Sequence, residues 1–103
     1  MKKQTVKTNK FEQIYEIVST IPKGKVMTYK QVATLVETTP RVVGFAMAGN
    51  KDTGKVPCHR VIDSLGKLRG YGFGGVNVKK QLLEQEGVKF LDAETIDLKT
   101  SQL

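Results

Sequence analysis

The sequence predicts an α+β domain, mostly helical, built on a helix-turn-helix and a short β-hairpin. Three observations carry that prediction: an apolar stripe at helical spacing near the start, two capped helical segments joined by a short turn, and a β-rich run followed by a glycine-rich return. At 103 residues the chain is one domain, large enough for a modest core and too short for a second folded unit beside it.

Residues 1–10, MKKQTVKTNK, read as a basic flexible arm without periodicity. Phe11, Ile14, Tyr15, Val18 and Ile21 then fall at i, i+3, i+4, i+7 spacing, which puts an apolar stripe on a helix that Pro22 and Gly24 end. In VMTYKQVATLV, Thr28 with Gln31 three residues later is a capping-box pattern, so a second helix starts there and runs to about Glu37. Thr38 or Thr39 caps a third helix with Pro40 at its first position, where a missing N–H costs nothing, and Gly49-Asn50 closes it. This pair is the helix-turn-helix.

Residues 51–57 read as a loop and CHRVID as a strand, after which Ser64-Leu65-Gly66 turns the chain into KLRGYGF. From about Asn77 to Glu86 a last helix carries Val78, Leu82 and Leu83 inward and stops at Gly87. The domain proper is therefore residues 11–89, small and winged-helix-like. Residues 90–103 form an acidic tail with no strong period.

Charge narrows the function. Seventeen Lys and Arg against ten Asp and Glu give +7; the last fourteen residues hold three of the acids and one lysine, which leaves +9 on residues 1–89. That balance suits a nucleic-acid partner and equally a lysine-rich surface of no special role, so it supports other signals without standing alone. No stretch approaches the roughly 20 apolar residues of a membrane span. One cysteine and one histidine allow neither an internal disulfide nor a zinc cluster, and no phosphate loop or dinucleotide fingerprint is present. No metal and no cofactor are expected. A free thiol suits a reducing compartment, so a cytoplasmic protein is expected, or a nuclear one in a eukaryote.

That cysteine and that histidine, Cys58 and His59, are neighbours in PCHRV. A lone Cys is commonly a small buried hydrophobe, and adjacent strand residues point to opposite faces, so the pair is informative only in context. The context is the order TYKQVA, RVVGFAMAGN, PCHRV, GYGFGG, LLEQEG. Together these resemble the C-terminal domain of the O6-alkylguanine-DNA alkyltransferases (methylated-DNA-protein-cysteine methyltransferases) over roughly Phe11 to Val88.

The resemblance implies roles. Cys58 would accept the alkyl group, His59 would draw off its proton through a water, Glu86 would orient His59, and Asn50 would hold the loop that carries the thiol. Tyr29 would press on the phosphate of the target nucleotide, and Arg41 would fill the gap left by the flipped base. Gly44, Phe45 and Ala48 would complete the DNA-facing side of the recognition helix, with Phe45, larger than in many members, able to turn to the core instead. Pro57, Val61, Tyr71, Gly72, Phe73 and Lys79 would line or support the guanine pocket. The implied partner is double-stranded DNA containing O6-alkylguanine, bound through the minor groove by a monomer without any membrane.

The chemistry fits that residue set. An alkyl carbon on guanine O6 lies inside the duplex, so the base must be extruded. Displacement at that carbon needs a thiolate, which a free thiol supplies only sparsely at neutral pH. A thioether is a poor leaving group, so each molecule should react once. The lone-domain size also resembles the alkyltransferase-like proteins, which bind alkylated DNA without transfer and carry Trp or Ala in place of Cys58. A non-catalytic lesion sensor is thus one alternative, and a helix-turn-helix regulator of DNA is another.

Overall fold

The computed structural model describes residues 9–68 and 75–103. Helix α1 (Lys10–Ser19) opens on a reciprocal capping box, with Asn9 Oδ1 accepting from Glu12 N at 2.9 Å and Glu12 Oε1 from Asn9 N at 3.3 Å. Strand β1 (Met27–Thr28) runs directly into α2 (Tyr29–Leu35) through the predicted box, Thr28 Oγ1 to Gln31 N at 3.0 Å and Gln31 Oε1 to Thr28 N at 3.3 Å. Helix α3 (Pro40–Ala48) is capped by Thr39, whose hydroxyl accepts from Val42 N. These caps satisfy amides that a helix start leaves unpaired, which is why short helices begin at these residues.

A 3-10 turn over Cys58–Arg60 leads into β2 (Val61–Ile62), which pairs in parallel with β1, Met27 opposite Val61 and Thr28 opposite Ile62. Successive strand residues face opposite sides. Met27 and Val61 accordingly join the larger core with Ile14, Val18, Val32, Val43 and Ala46, while Val26 and Ile62 join a smaller one with Leu83, Val88 and Ile96. This two-residue pairing is the partition between the two cores.

The expected strand CHRVID is thereby corrected: only Val61–Ile62 is extended, and its partner is β1. A β-hairpin is present, but at β3 (Phe90–Asp92) and β4 (Thr95–Ile96), in the stretch read as an aperiodic tail. Residues 66–68 pair with β4: Ile96 N donates to Gly66 O at 2.8 Å and Leu68 N to Glu94 O at 3.1 Å. Gly66 sits at φ 81, and a Cβ there would lie 2.7 Å from Ile96 O, so this approach requires glycine.

Helix α4 (Gly75–Gln85) ends at Gly87, which takes φ 89. Leu83 is fully buried, as the spacing predicts, whereas Val78 and Leu82 are half-buried and the fully buried partner is Lys79. Helix α5 (Leu98–Ser101) brings the C-terminal residues back to α2: Leu103 N donates to Val26 O, and Gln31 Nε2 to Leu103 O at 2.7 Å. Among the described residues no helix is long and apolar enough to cross a membrane.

Candidate active site

Cys58 is 4% exposed and heads the 3-10 turn. The loop before it is folded onto Asn50, which is buried: Asn50 Nδ2 donates to Val56 O at 2.8 Å, and its Oδ1 accepts from Asp52 N at 3.1 Å. Val56 N bonds back to Asp52 O, and Cys58 N to Val56 O, both at 2.8 Å. One amide side chain therefore sets the path of the segment that presents the thiol. Pro57 and Val61 are buried on either side of the turn.

The 3-10 geometry decides what surrounds the thiol. In a strand His59 and Arg60 would point to opposite faces, whereas at about three residues per turn both can reach one group. That group is Glu86, just beyond α4. His59 Nε2 lies 3.0 Å from Glu86 Oε2; Arg60 Nη2 donates to the same oxygen at 2.7 Å and Arg60 Nε to Oε1 at 2.8 Å. Arg60 Nη1 is anchored on Ile21 O at 2.7 Å. Nε2 of His59 is thus committed to Glu86.

The electrostatics follow from this crowding. Burial lowers the His59 pKa below the ordinary imidazole value; Glu86 opposes that and the charges of Arg60 and Lys79 add to it. The ring is thus neutral at neutral pH. Burial would raise the Glu86 carboxyl, but hydrogen bonds from Arg60 and His59 hold it below the usual range. Arg60 was not singled out by sequence reasoning. The available signal was its place beside His59 in PCHRV, hidden because a strand reading turns it away.

Lys79 donates from Nζ to Val61 O at 2.9 Å, with its ammonium 5.9 Å from the centre of the Tyr29 ring. Burial lowers its pKa to about 8, opposed by the charges of Cys58 and Asp63. Tyr29, half-buried at the start of α2, has its phenol pKa raised by burial and then by Cys58 and Asp63. Cys58, Tyr29, Lys79 and Asp63 therefore share one neighbourhood.

On the outer side, Arg41 and Ala48 are exposed on α3, Gly44 is half-buried, and Phe45 points outward, 54% exposed, not into the core. A cavity of about 370 Å³ lies between α2, α3 and the turn after β2, lined by Tyr29, Lys30, Pro40, Arg41, Gly44, Asp63 and Ser64. A larger cavity, about 510 Å³, lies behind the Asn50 loop against α1, with Glu12, Glu16 and Asp52 and also Lys51 and Lys55 on its wall. Tyr71, Gly72 and Phe73 lie outside the described residues. Among the described residues no group of three His, Cys, Asp or Glu stands close enough to hold a metal ion.

Residues 9–88 match the family described as the DNA-binding domain of 6-O-methylguanine DNA methyltransferase. The chain is 50% identical over 76 residues to the methylated-DNA–protein-cysteine methyltransferase of Saccharolobus solfataricus, covering 74% of this chain and 49% of that protein. The Methanothermobacter thermautotrophicus protein of the same name is 45% identical over 76 residues, 74% of this chain and 43% of that protein. The chain thus spans about half the length of the curated relatives it matches. Among solved structures, Schizosaccharomyces pombe Atl1 in complex with damaged DNA containing O6-carboxymethylguanine superposes with a TM-score of 0.80 at 31% identity, covering 91% of this chain and 94% of that one. Mycobacterium tuberculosis OGT in complex with DNA superposes with a TM-score of 0.68 at 39% identity, covering 79% and 50%.

Proposed function

The chain belongs to the family of 6-O-methylguanine DNA methyltransferase DNA-binding domains, and from that premise we propose that it repairs O6-alkylguanine in DNA by moving the alkyl group irreversibly to Sγ of its own Cys58. The observation that carries this reading is a thiol heading the turn whose next residue holds Glu86 at 3.0 Å.

In the proposed reaction α3 enters the minor groove, the damaged nucleotide swings out, and Arg41 fills the gap while Tyr29 presses on the phosphate. The thiol proton passes through a water to Nδ1 of neutral His59, and Glu86 steadies the imidazolium that forms, as in a catalytic triad with a water inserted. Sulfur then attacks the alkyl carbon; the S–C bond forms as the C–O6 bond breaks, and guanine leaves with the electron pair on O6 and takes up a proton. Lys79, bonded to Val61 O, braces the wall beside the thiol. Nothing among these residues returns the alkyl group, so one molecule repairs one lesion.

The test is mass spectrometry of the chain after incubation with O6-methylguanine duplex. The peptide bearing Cys58 should gain the mass of one CH2 unit. Tight lesion binding without that gain would instead favour the sensor reading, which the fit to nearly the whole of Atl1 keeps in view. Equal binding of damaged and undamaged duplexes would favour a regulator.

Gly44 provides a check on the DNA-facing side. Among the described residues outside its own helix turn, a Cβ there would meet no atom within 4 Å, so their packing does not demand glycine. Mid-helix glycine costs about 1 kcal/mol relative to alanine. Gly44→Ala should therefore raise the melting temperature by roughly 4–8 °C, and because the added methyl stands where DNA would approach, it should weaken duplex binding. Calorimetry and fluorescence anisotropy on the same sample read both changes. A stabilised variant that binds DNA as tightly as the parent would remove this face from the interface.

A further inference from the structure

Beside the small residues Gly44 and Ala48, the outward side of α3 carries a large apolar ring, Phe45, with 54% of its surface exposed. Among the described residues, more than half of this phenyl surface is left uncovered. The guanidinium of Arg41, one helical turn earlier, sits 5.4 Å from the ring centre, within cation–π distance. Arg41 also lines the 370 Å³ cavity together with Tyr29 and Gly44, whereas Phe45 does not. Tyr29 and Arg41 thus both border the cavity, and Phe45 lies outside it against Arg41.

We propose that Phe45 is an aromatic wedge for duplex DNA: it stacks on the base step beside the vacated position while its face holds Arg41 aimed into the gap. This rests on the repair reading above and goes beyond it by giving this chain a second intercalating side chain. The occupant is duplex DNA because the ring is continuous with the proposed interface and flanked by a cation, which suits base faces edged by phosphate. Apolar wedges in the minor groove unstack a step and kink the duplex, exposing more of it to the protein. A helix face carrying arginine alone would bend DNA less.

The experiment uses the full chain in a Cys58→Ser background, so that no transfer interferes, with an O6-methylguanine duplex carrying a fluorescence donor and acceptor at its ends. Phe45→Ala should weaken binding about tenfold, the loss of one base–aromatic stack, and should lengthen the end-to-end distance of bound DNA. Phe45→Tyr should retain both affinity and bend. Alanine is a good helix former and the site is exposed, so circular dichroism should find the variant folded. Unchanged affinity and bend in Phe45→Ala would overturn the wedge, and tighter binding would show the ring to be an obstruction. Failure of the repair reading is seen separately, as the absence of alkyl mass on Cys58 in the parent protein.

Discussion

A chain carrying Cys58→Ala should take up no alkyl group from O6-methylguanine DNA at any pH or time, yet still bind the lesion. The loss is complete because the proposed acceptor is consumed stoichiometrically and Cys58 is the chain's only cysteine. Lesion binding should survive because the groups assigned to extrusion, Arg41 and Tyr29, stand on α2 and α3 and not on the Cys58 turn. Removing one sulfur from a buried position costs little packing, so the fold should persist. Mass spectrometry and anisotropy on one preparation check both halves. Residual alkylation in the variant would place the acceptor elsewhere and dismiss the assignment of Cys58.

The second large effect should come from the shared carboxylate. Glu86→Gln is expected to slow transfer about a hundredfold or more, the usual contribution of an oriented general base. A Gln amide can donate to Nε2 of His59, which fixes the proton on Nδ1 and leaves no acceptor for the thiol proton. Arg60→Met should act differently. His59 works while neutral, so the rate falls as pH drops through its depressed pKa. Taking away Arg60 removes one of the charges that lower this pKa and leaves Glu86 to His59 alone, so the pKa rises.

The acid limb of the pH–rate profile in Arg60→Met should therefore move up toward, or past, the ordinary imidazole value of about 6.5. At neutral pH the variant should be slower, and above pH ~8 it should recover. A variant that loses activity equally at all pH values would show Arg60 to be a structural prop only. Because Arg60 and Glu86 are both largely buried, either change lowers stability, and rates belong on the folded fraction.

The helix starts were legible because caps are local. Thr28 with Gln31 and Thr39 with Pro40 lie within one turn of the amides they serve, and the structure places those bonds there. Asn9 with Glu12 obeys the same rule, although the surrounding lysines and polar residues give that stretch the composition of an unstructured arm. The pairing of His59 with Glu86, expected from the family motifs, appears at 3.0 Å across 27 positions. Arg60 on that carboxylate, Lys79 reaching Val61 O and Leu103 bracing Gln31 had no comparable local signature.

By itself the sequence determined the capped helices, the family to which the motifs belong and the chemical types that meet at the site. These depend on hydrogen bonds within a turn and on the reactivity of particular side chains. Tertiary structure alone decided that residues 58–60 coil instead of extending, that β2 pairs in parallel with β1, and that the final hairpin closes the smaller core. Its reason is that a short apolar run settles in whichever conformation buries it best against distant partners, and Val26, Ile62, Leu83 and Ile96 become partners only once the chain has folded.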